Sequence, residues 1–321
     1  MKASYRDHYC PPAQIQLKDI PKPTPKGDEV LVRVMATTVN RTDVGVATGK
    51  PYAIRAFAGL SRPKIPVTGT DFAGVIEAVG SEVQNFKIGD RVWGFDDNGA
   101  GTHAEWVAYS TQKALLKMPE NRDFTFMVAC AEAAHYAVNF INKVQLEAGM
   151  GVLVNGGTGA IGSAAIQILK AMGIAVTAVC FEKDQESVKN LGPDRVIALE
   201  KTDFTKEDKV YDFVFDAVGK SRFTLCMRIL KPHGVYISSE LGPNWENIWL
   251  ALAGKFSSGK KVIFPLPTDI LGSMQYIQNL VEKGKFQPLL DPSIFSPEQI
   301  SEAFSYVASG KKTGNLIINW D

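Results

Sequence analysis

Apolar residues change their spacing near the middle of this chain. Before Asn121 they fall in short runs broken by turn residues. Val30–Val34 reads as a strand, entered through the proline-rich Pro21–Pro25 and the turn Gly27-Asp28. Phe72–Val79 is a second, closed by Gly80, and Arg91–Gly94 follows the turn Gly89-Asp90. From Phe126 to Lys143 the chain has few breakers and many alanines, which predicts a helix. Beyond Gly151, continuous apolar runs alternate with helical stretches. Val152–Asn155, Ile174–Cys180, Arg195–Leu199, Phe213–Phe215 and Gly234–Ser238 read as buried parallel strands. Ala160–Met172 and Gln185–Leu191 read as helices, each followed by glycine. Helices Asp269–Lys283 and Pro297–Ser309 and strands Phe286–Leu289 and Asn315–Asn319 complete the chain.

This pattern predicts an α/β protein: a mostly-β domain and a doubly wound parallel sheet. The length of 321 residues suits two such domains. The last strands are too few to stand alone, so they should rejoin the first domain. The expected division is 1–122 with 284–321, and 123–283.

Composition narrows the function. The net charge of +1, with scattered Lys and Arg, gives no field for nucleic acid or an acidic membrane surface. The segment Met1–Cys10 has no apolar signal region, and no uninterrupted apolar window of membrane-spanning length is evident. A cytoplasmic location is the expectation. Cys10, Cys130, Cys180 and Cys226 lie far apart, without the close pairing of a zinc knuckle, and reduced thiols are the default.

The sharpest motif is Asn155-Gly156-Gly157-Thr158-Gly159-Ala160-Ile161-Gly162. It follows an apolar strand and opens a helix, the context a dinucleotide fingerprint requires. Gly157 suits the tight turn, Gly159 lets backbone approach a pyrophosphate, and Gly162 allows helix–strand packing. Thr158, Ala160 and Ile161 supply the backbone around the phosphates at the helix start. At the end of the next strand, Cys180 stands where an NAD site usually has a carboxylate. Lys183 can meet a 2′-phosphate, with a solvated surface lysine as the alternative, and Glu182 opposes one, so NADPH is favoured with NADH left open.

Gly69-Thr70-Asp71-Phe72-Ala73-Gly74-Val75-Ile76-Glu77-Ala78-Val79-Gly80, then Phe86-Lys87-Ile88-Gly89-Asp90-Arg91-Val92-Trp93-Gly94 and Gly101-Thr102-His103-Ala104-Glu105-Trp106-Val107, carry a resemblance. With the glycine motif, Phe215-Asp216-Ala217-Val218-Gly219 and Lys312-Thr313-Gly314-Asn315-Leu316-Ile317-Ile318, they resemble the medium-chain dehydrogenase/reductase superfamily over nearly the whole chain. The chain is most similar to its zinc-independent, quinone oxidoreductase-like branch. The zinc members carry Cys and His in two blocks. Here those blocks read Val39-Asn40-Arg41-Thr42-Asp43 and Gly69-Thr70-Asp71, with neither ligand, and the lobe of structural cysteines is missing.

The resemblance implies a GroES-like catalytic domain, a Rossmann domain and a cleft between them. It implies hydride transfer from NADPH to a small quinone, enone or alkenal, with Val218, Ser238 and Asn315 along the cofactor. A zinc-free alcohol or aldehyde dehydrogenase and a non-catalytic NADPH sensor stay open. Asn40 falls near the nicotinamide, where its amide can donate to a carbonyl oxygen; capping a turn is the alternative. Asp43 reads as a loop-ordering residue. His135 stands where the branch usually has Thr, facing the nicotinamide, and is the second catalytic candidate: its imidazole can donate a hydrogen bond to the carboxamide or protonate an enolate, and Glu132, one turn earlier, should raise its pKa; a buried structural histidine is the alternative. Tyr52 is a candidate for the substrate pocket, with a surface tyrosine as the alternative. His8, His103 and His233 show no metal-site spacing. Trp245 and Trp249 share a helix face near an edge through which the family often dimerises, so a homodimer is expected.

Overall fold

The computed structural model describes residues 1–238, 240–254 and 259–321. The chain forms two compact units. One comprises Met1–Glu132, Ile270–Glu282 and Leu290–Asp321; the other comprises Ala133–Asp269 and Lys283–Leu289.

The first unit is built on a seven-stranded sheet. Its central strand, Glu29–Val39, pairs antiparallel with Asp71–Val79, Trp106–Ser110 and Asn315–Asn319. Arg91–Phe95 and Leu115–Lys117 extend one side, and Leu290–Phe295 lies parallel to Asn315–Asn319 on the other. Inward side chains Val30, Val32, Val34, Phe72, Ile76 and Ile318 pack with Phe304 of the helix Ile300–Ala308. Each such burial contributes about 1.5–3 kcal/mol. The central strand runs straight into the helix Arg41–Thr48, so Asn40 sits at the junction.

The second unit holds a six-stranded sheet, parallel throughout. Across the sheet the order is Arg195–Ala198, Ala175–Cys180, Gly151–Asn155, Tyr211–Asp216, Leu230–Ser238 and Lys261–Ile263. The chain winds outward from Gly151–Asn155, then returns to its other side. That reversal creates the switch point at which such sheets bind ligands, beyond the strands' carboxyl ends. Val152, Leu153 and Val154 are fully buried, as a strand covered on both faces must be.

Two expectations need correction. The predicted helix Phe126–Lys143 is two helices, Phe124–Val128 and Glu132–Ile141. The predicted strand Phe286–Leu289 is not a strand. Pro288 has no N–H, and the Gln167 side chain takes both backbone groups of Gln287, at 2.8 and 3.0 Å. The strand begins at Leu290. Among the described residues, one helical stretch, Phe124–Ile141, is long and apolar enough to cross a membrane; 78% of it is buried within the protein.

Candidate active site

The glycine motif forms a tight cradle at the sheet's switch point. Gly156 adopts φ +90°, a left-handed conformation that favours glycine. Gly159 caps the helix Ala160–Ala171. The N–H groups of Ala160, Ile161 and Gly162 therefore open this helix, where an α-helix has no internal acceptors for them. A Cβ on Gly162 would lie 2.2 Å from the Gly156 carbonyl oxygen, so the helix approaches the loop only because this residue is glycine. Thr158 belongs to the turn that carries the chain into that helix. Val218 closes over the loop; its Cγ1 would lie 2.4 Å from a Cβ on Gly156.

Asp216 organises the neighbouring strand end. It is fully buried and accepts hydrogen bonds from Asn155 Nδ2 at 3.0 Å and Tyr236 Oη at 2.7 Å. The backbone N–H groups of Gly219 and Ser221 donate to it at 3.0 Å each. Ser238 ends the next strand in register with Asp216 and is also buried.

Beyond the second strand, Lys183 is exposed in the short turn Glu182–Asp184. Glu182 pairs with Lys201. Cys180 is buried, and burial pushes its thiol up to about 11. It is a neutral filler at neutral pH.

The first unit holds a buried polar cluster around Asn40. The Asn40 backbone N–H donates to Asp43 Oδ2 at 2.8 Å, closing the cap of the helix Arg41–Thr48. Its side-chain Nδ2 donates to Thr38 Oγ1 at 2.8 Å, and Thr38 Oγ1 donates to Asp71 Oδ2 at 2.6 Å. Lys312 Nζ donates to Asn40 Oδ1 at 2.6 Å and to the Gly314 carbonyl at 2.7 Å. Thr70 makes longer contacts, 3.5 Å to Asp43 and 3.4 Å to Glu132. Asp43, Asp71 and Glu132 are 2%, 0% and 4% exposed, so water screens little between them.

The electrostatics follow. Burial pushes the Asp43 carboxyl up to about 7, against the Asn40 N–H and the Lys312 ammonium, which favour its charge. Burial, and then Asp43, raise Glu132 to about 7. Burial also holds Asp71 well above the carboxylate range, and both neighbouring acids add to the effect. Lys312 is lowered by burial to about 8, with Glu132, Asp291, Asp43 and Asp71 resisting. Burial thus moves all three carboxyl groups up and the ammonium down, toward each other's range.

Matches to known families cover most of the chain. Residues 26–120 match the alcohol dehydrogenase GroES-like domain, and 191–318 match a zinc-binding dehydrogenase domain. A chloroplast envelope quinone oxidoreductase homolog of Arabidopsis thaliana is 30% identical, over 95% of this chain and 94% of that protein. This chain belongs to the medium-chain dehydrogenase/reductase superfamily, in its quinone oxidoreductase-like branch. It is an oxidoreductase of an NAD(P)H-dependent family. An NADPH-dependent alkenal/one oxidoreductase of A. thaliana is 29% identical, over 92% of this chain and 73% of that protein. The structure of the quinone oxidoreductase from Coxiella burnetii shares the fold, with a TM-score of 0.86 at 24% identity, covering 100% of this chain and 99% of that one.

Other residues stand out within this family frame. His135 is 1% exposed on the helix Glu132–Ile141. The expectation that Glu132 raises its pKa is corrected: burial lowers it to about 4, and Asp269 only partly opposes this. Glu132 instead approaches Thr70. His135 is therefore neutral at pH 7 and supplies no cationic acid. Tyr52 is 68% exposed, with the Arg55 guanidinium over its ring at 4.9 Å. Asn315 is buried at the start of the last strand.

His103 is structural. It is fully buried and bridges Thr68 Oγ1 and the Thr38 carbonyl, at 2.8 Å each. Burial lowers its pKa from 6.5 to about 4. The folded state holds it neutral, so its contribution is complete above pH 6.5 and is lost as pH falls toward 4. A depression of this size corresponds to up to about 3 kcal/mol. Asp43 and Glu132 act in the opposite sense, since their raised values favour the folded state at low pH. The His103→Gln variant should therefore lose less stability than wild type on acidification from about pH 7 to about pH 4. Parallel melting curves across that range measure it, and identical slopes would refute it.

Proposed function

We propose that this protein reduces quinones, enones or alkenals with hydride from NADPH, without zinc. The observation that carries the reading is the glycine cradle at the switch point, in a chain whose relatives are named quinone and alkenal/one oxidoreductases. NADPH supplies the hydride when bound. Gly157, Thr158, Gly159, Ala160, Ile161 and Gly162 hold the pyrophosphate with backbone N–H groups. Val218, Ser238 and Asn315 line the cofactor. Lys183, with Glu182 drawn to Lys201, meets the 2′-phosphate. Asn40 orients the acceptor oxygen, and the protonated share of the Asp43–Glu132 pair returns the proton the product needs. His135, neutral, keeps the hydrogen-bonding half of its catalytic role, donating to the nicotinamide carboxamide, and Tyr52 lines the substrate pocket.

The donor chemistry does not fit a zinc ion. At the two ligand blocks stand a neutral amide, Asn40, and a hydroxyl, Thr70. An ammonium already donates to the amide oxygen at 2.6 Å. A divalent cation would meet that positive charge directly.

The division into a catalytic domain of 1–122 with 284–321 and a cofactor domain of 123–283 belongs to the same reading. So do a cytoplasmic location, a small-molecule partner without nucleic acid or membrane, and a homodimer. The dimer reading draws on Trp249, 66% exposed beside the sheet's terminal strand Lys261–Ile263.

The test follows absorbance at 340 nm with NADPH and a panel of acceptors. Oxidation by a quinone or enone supports the reading; turnover only with simple aldehydes favours the dehydrogenase alternative. Tight binding without turnover favours a sensor. Lys183→Ala should raise the KM for NADPH about fivefold and leave that for NADH unchanged. Equal effects on both cofactors would remove Lys183 from the 2′-phosphate.

A further inference from the structure

Lys312 and Asn40 are separated by 272 positions, yet they meet at 2.6 Å inside the acidic cluster. The contact belongs to a one-way chain of donors. Lys312 Nζ donates to Asn40 Oδ1, Asn40 Nδ2 to Thr38 Oγ1, and Thr38 Oγ1 to Asp71 Oδ2. A cation stands at one end and a carboxyl group at the other. Each link polarises the next in the same sense.

This arrangement decides which way the Asn40 amide faces. Turned over, its NH₂ would meet the ammonium, donor against donor. Its oxygen would meet Thr38 Oγ1, whose hydrogen is committed to Asp71. Thr38 Oγ1 and the carboxyl of Glu132 both attract the NH₂ end in the observed orientation. One N–H of the amide is thus held by Thr38, the other faces the Glu132 side, and the amide oxygen is sealed by the ammonium. Lys312 also answers the three buried carboxyl groups, Asp43, Asp71 and Glu132, with Asp291 nearby and Arg6 acting on Asp43.

We propose that Lys312 is a positioning residue: its ammonium, set against Asn40 of the first ligand block, seals the amide oxygen and fixes the amide with one N–H on Thr38, so that its second N–H is the one an acceptor oxygen takes. The inference rests on the reductase reading above, because it assigns Asn40 to the acceptor. A purely structural lysine would brace the tail Lys312–Gly314 and leave the reaction's pH dependence alone.

The experiment has two arms. The first needs neither cofactor nor acceptor. The Lys312 side-chain amine is followed by NMR during a pH titration and assigned by its absence in Lys312→Met. It should titrate well below the other lysines; a titration with the bulk of them overturns the inference. The second arm measures kcat, KM and NADPH affinity for wild type, Lys312→Met and Lys312→Arg, with a quinone and an enone. Lys312→Met should lose about tenfold in kcat/KM for the acceptor, while NADPH affinity stays within about twofold. The alkaline limb of its pH profile should move or vanish, and Lys312→Arg should recover most of the loss. A folded Lys312→Met with unchanged kcat/KM and pH profile overturns the inference. So does an equal loss in Lys312→Arg. If Lys312→Met does not fold, Lys312→Gln, which keeps a donor and drops the charge, carries the same criteria. If neither folds, a wild-type profile without an alkaline limb overturns the inference, and one whose limb follows the NMR titration supports it. Should wild type reduce no acceptor, the reductase reading fails with the first arm intact, and the positioning role falls with it.

Discussion

Replacing Asp216 with alanine is expected to cost at least about 4 kcal/mol and lower the melting temperature by about 10 °C or more. The carboxylate is fully buried and collects four close donors: the Asn155 amide, the Tyr236 hydroxyl and the N–H groups of Gly219 and Ser221. Alanine leaves all four without their acceptor. Each buried orphan costs about 1–3 kcal/mol, and the sum is softened by relaxation and by water entering the gap. The tyrosine cannot escape by ionising, because burial and the carboxylate both push its pKa up. Asp216→Asn should fall between wild type and alanine, since it keeps one acceptor oxygen but brings an NH₂ toward existing donors. Thermal melts of the three proteins decide it. A change below about 2 °C for the alanine variant would mean that the network contributes little.

The second large effect is expected at Gly162. A Cβ there meets the Gly156 carbonyl oxygen at 2.2 Å and its carbon at 2.8 Å, so no side chain can move aside. The helix must retreat from the loop. The expected cost is about 1–3 kcal/mol in stability, together with at least a tenfold loss, roughly, of NADPH affinity. Gly159 provides the contrast. Its Cβ would meet the nearest atom at 3.3 Å, which a small adjustment accommodates. Gly159→Ala should therefore melt close to wild type while binding NADPH poorly, because the added methyl occupies the phosphate's approach. Fluorescence titration with NADPH alongside melting separates the two. Gly162→Ala with normal melting and normal binding would refute the packing argument.

These residues also show what could be read in advance. The parallel sheet was legible because its strands are continuous apolar runs, and the glycine loop because its backbone demands leave few residue types. The strand Asn315–Asn319 was legible to the residue, and Ala175–Cys180 nearly so. Phe286–Leu289 misled because a strand needs free backbone groups, and Gln167, 120 positions away from Gln287, had claimed them. The Asn40 cluster was half visible. Its ligand-block residues stood out against the family pattern. Lys312 did not, because an ammonium reaching an amide across the whole chain leaves no local spacing to detect. His135 misled for a related reason. One-turn spacing to Glu132 suggested a pair, but a buried carboxyl group takes whichever hydrogen-bond donors the tertiary structure offers, and here Thr70 was one.

Asn155, Asp216 and Ser238 sit side by side across three neighbouring strands. Each follows an apolar run, so together they form one polar rung at the top of an oily ladder. That rung serves as an alignment mark. A parallel strand that slipped by one residue would keep most of its backbone hydrogen bonds and bury equally greasy side chains. It would, however, lift Asp216 away from Asn155 or draw a carboxylate into the hydrocarbon layer. The three side chains at the carboxyl end of these strands thus penalise misaligned assembly, and the sheet is proofread along one rung.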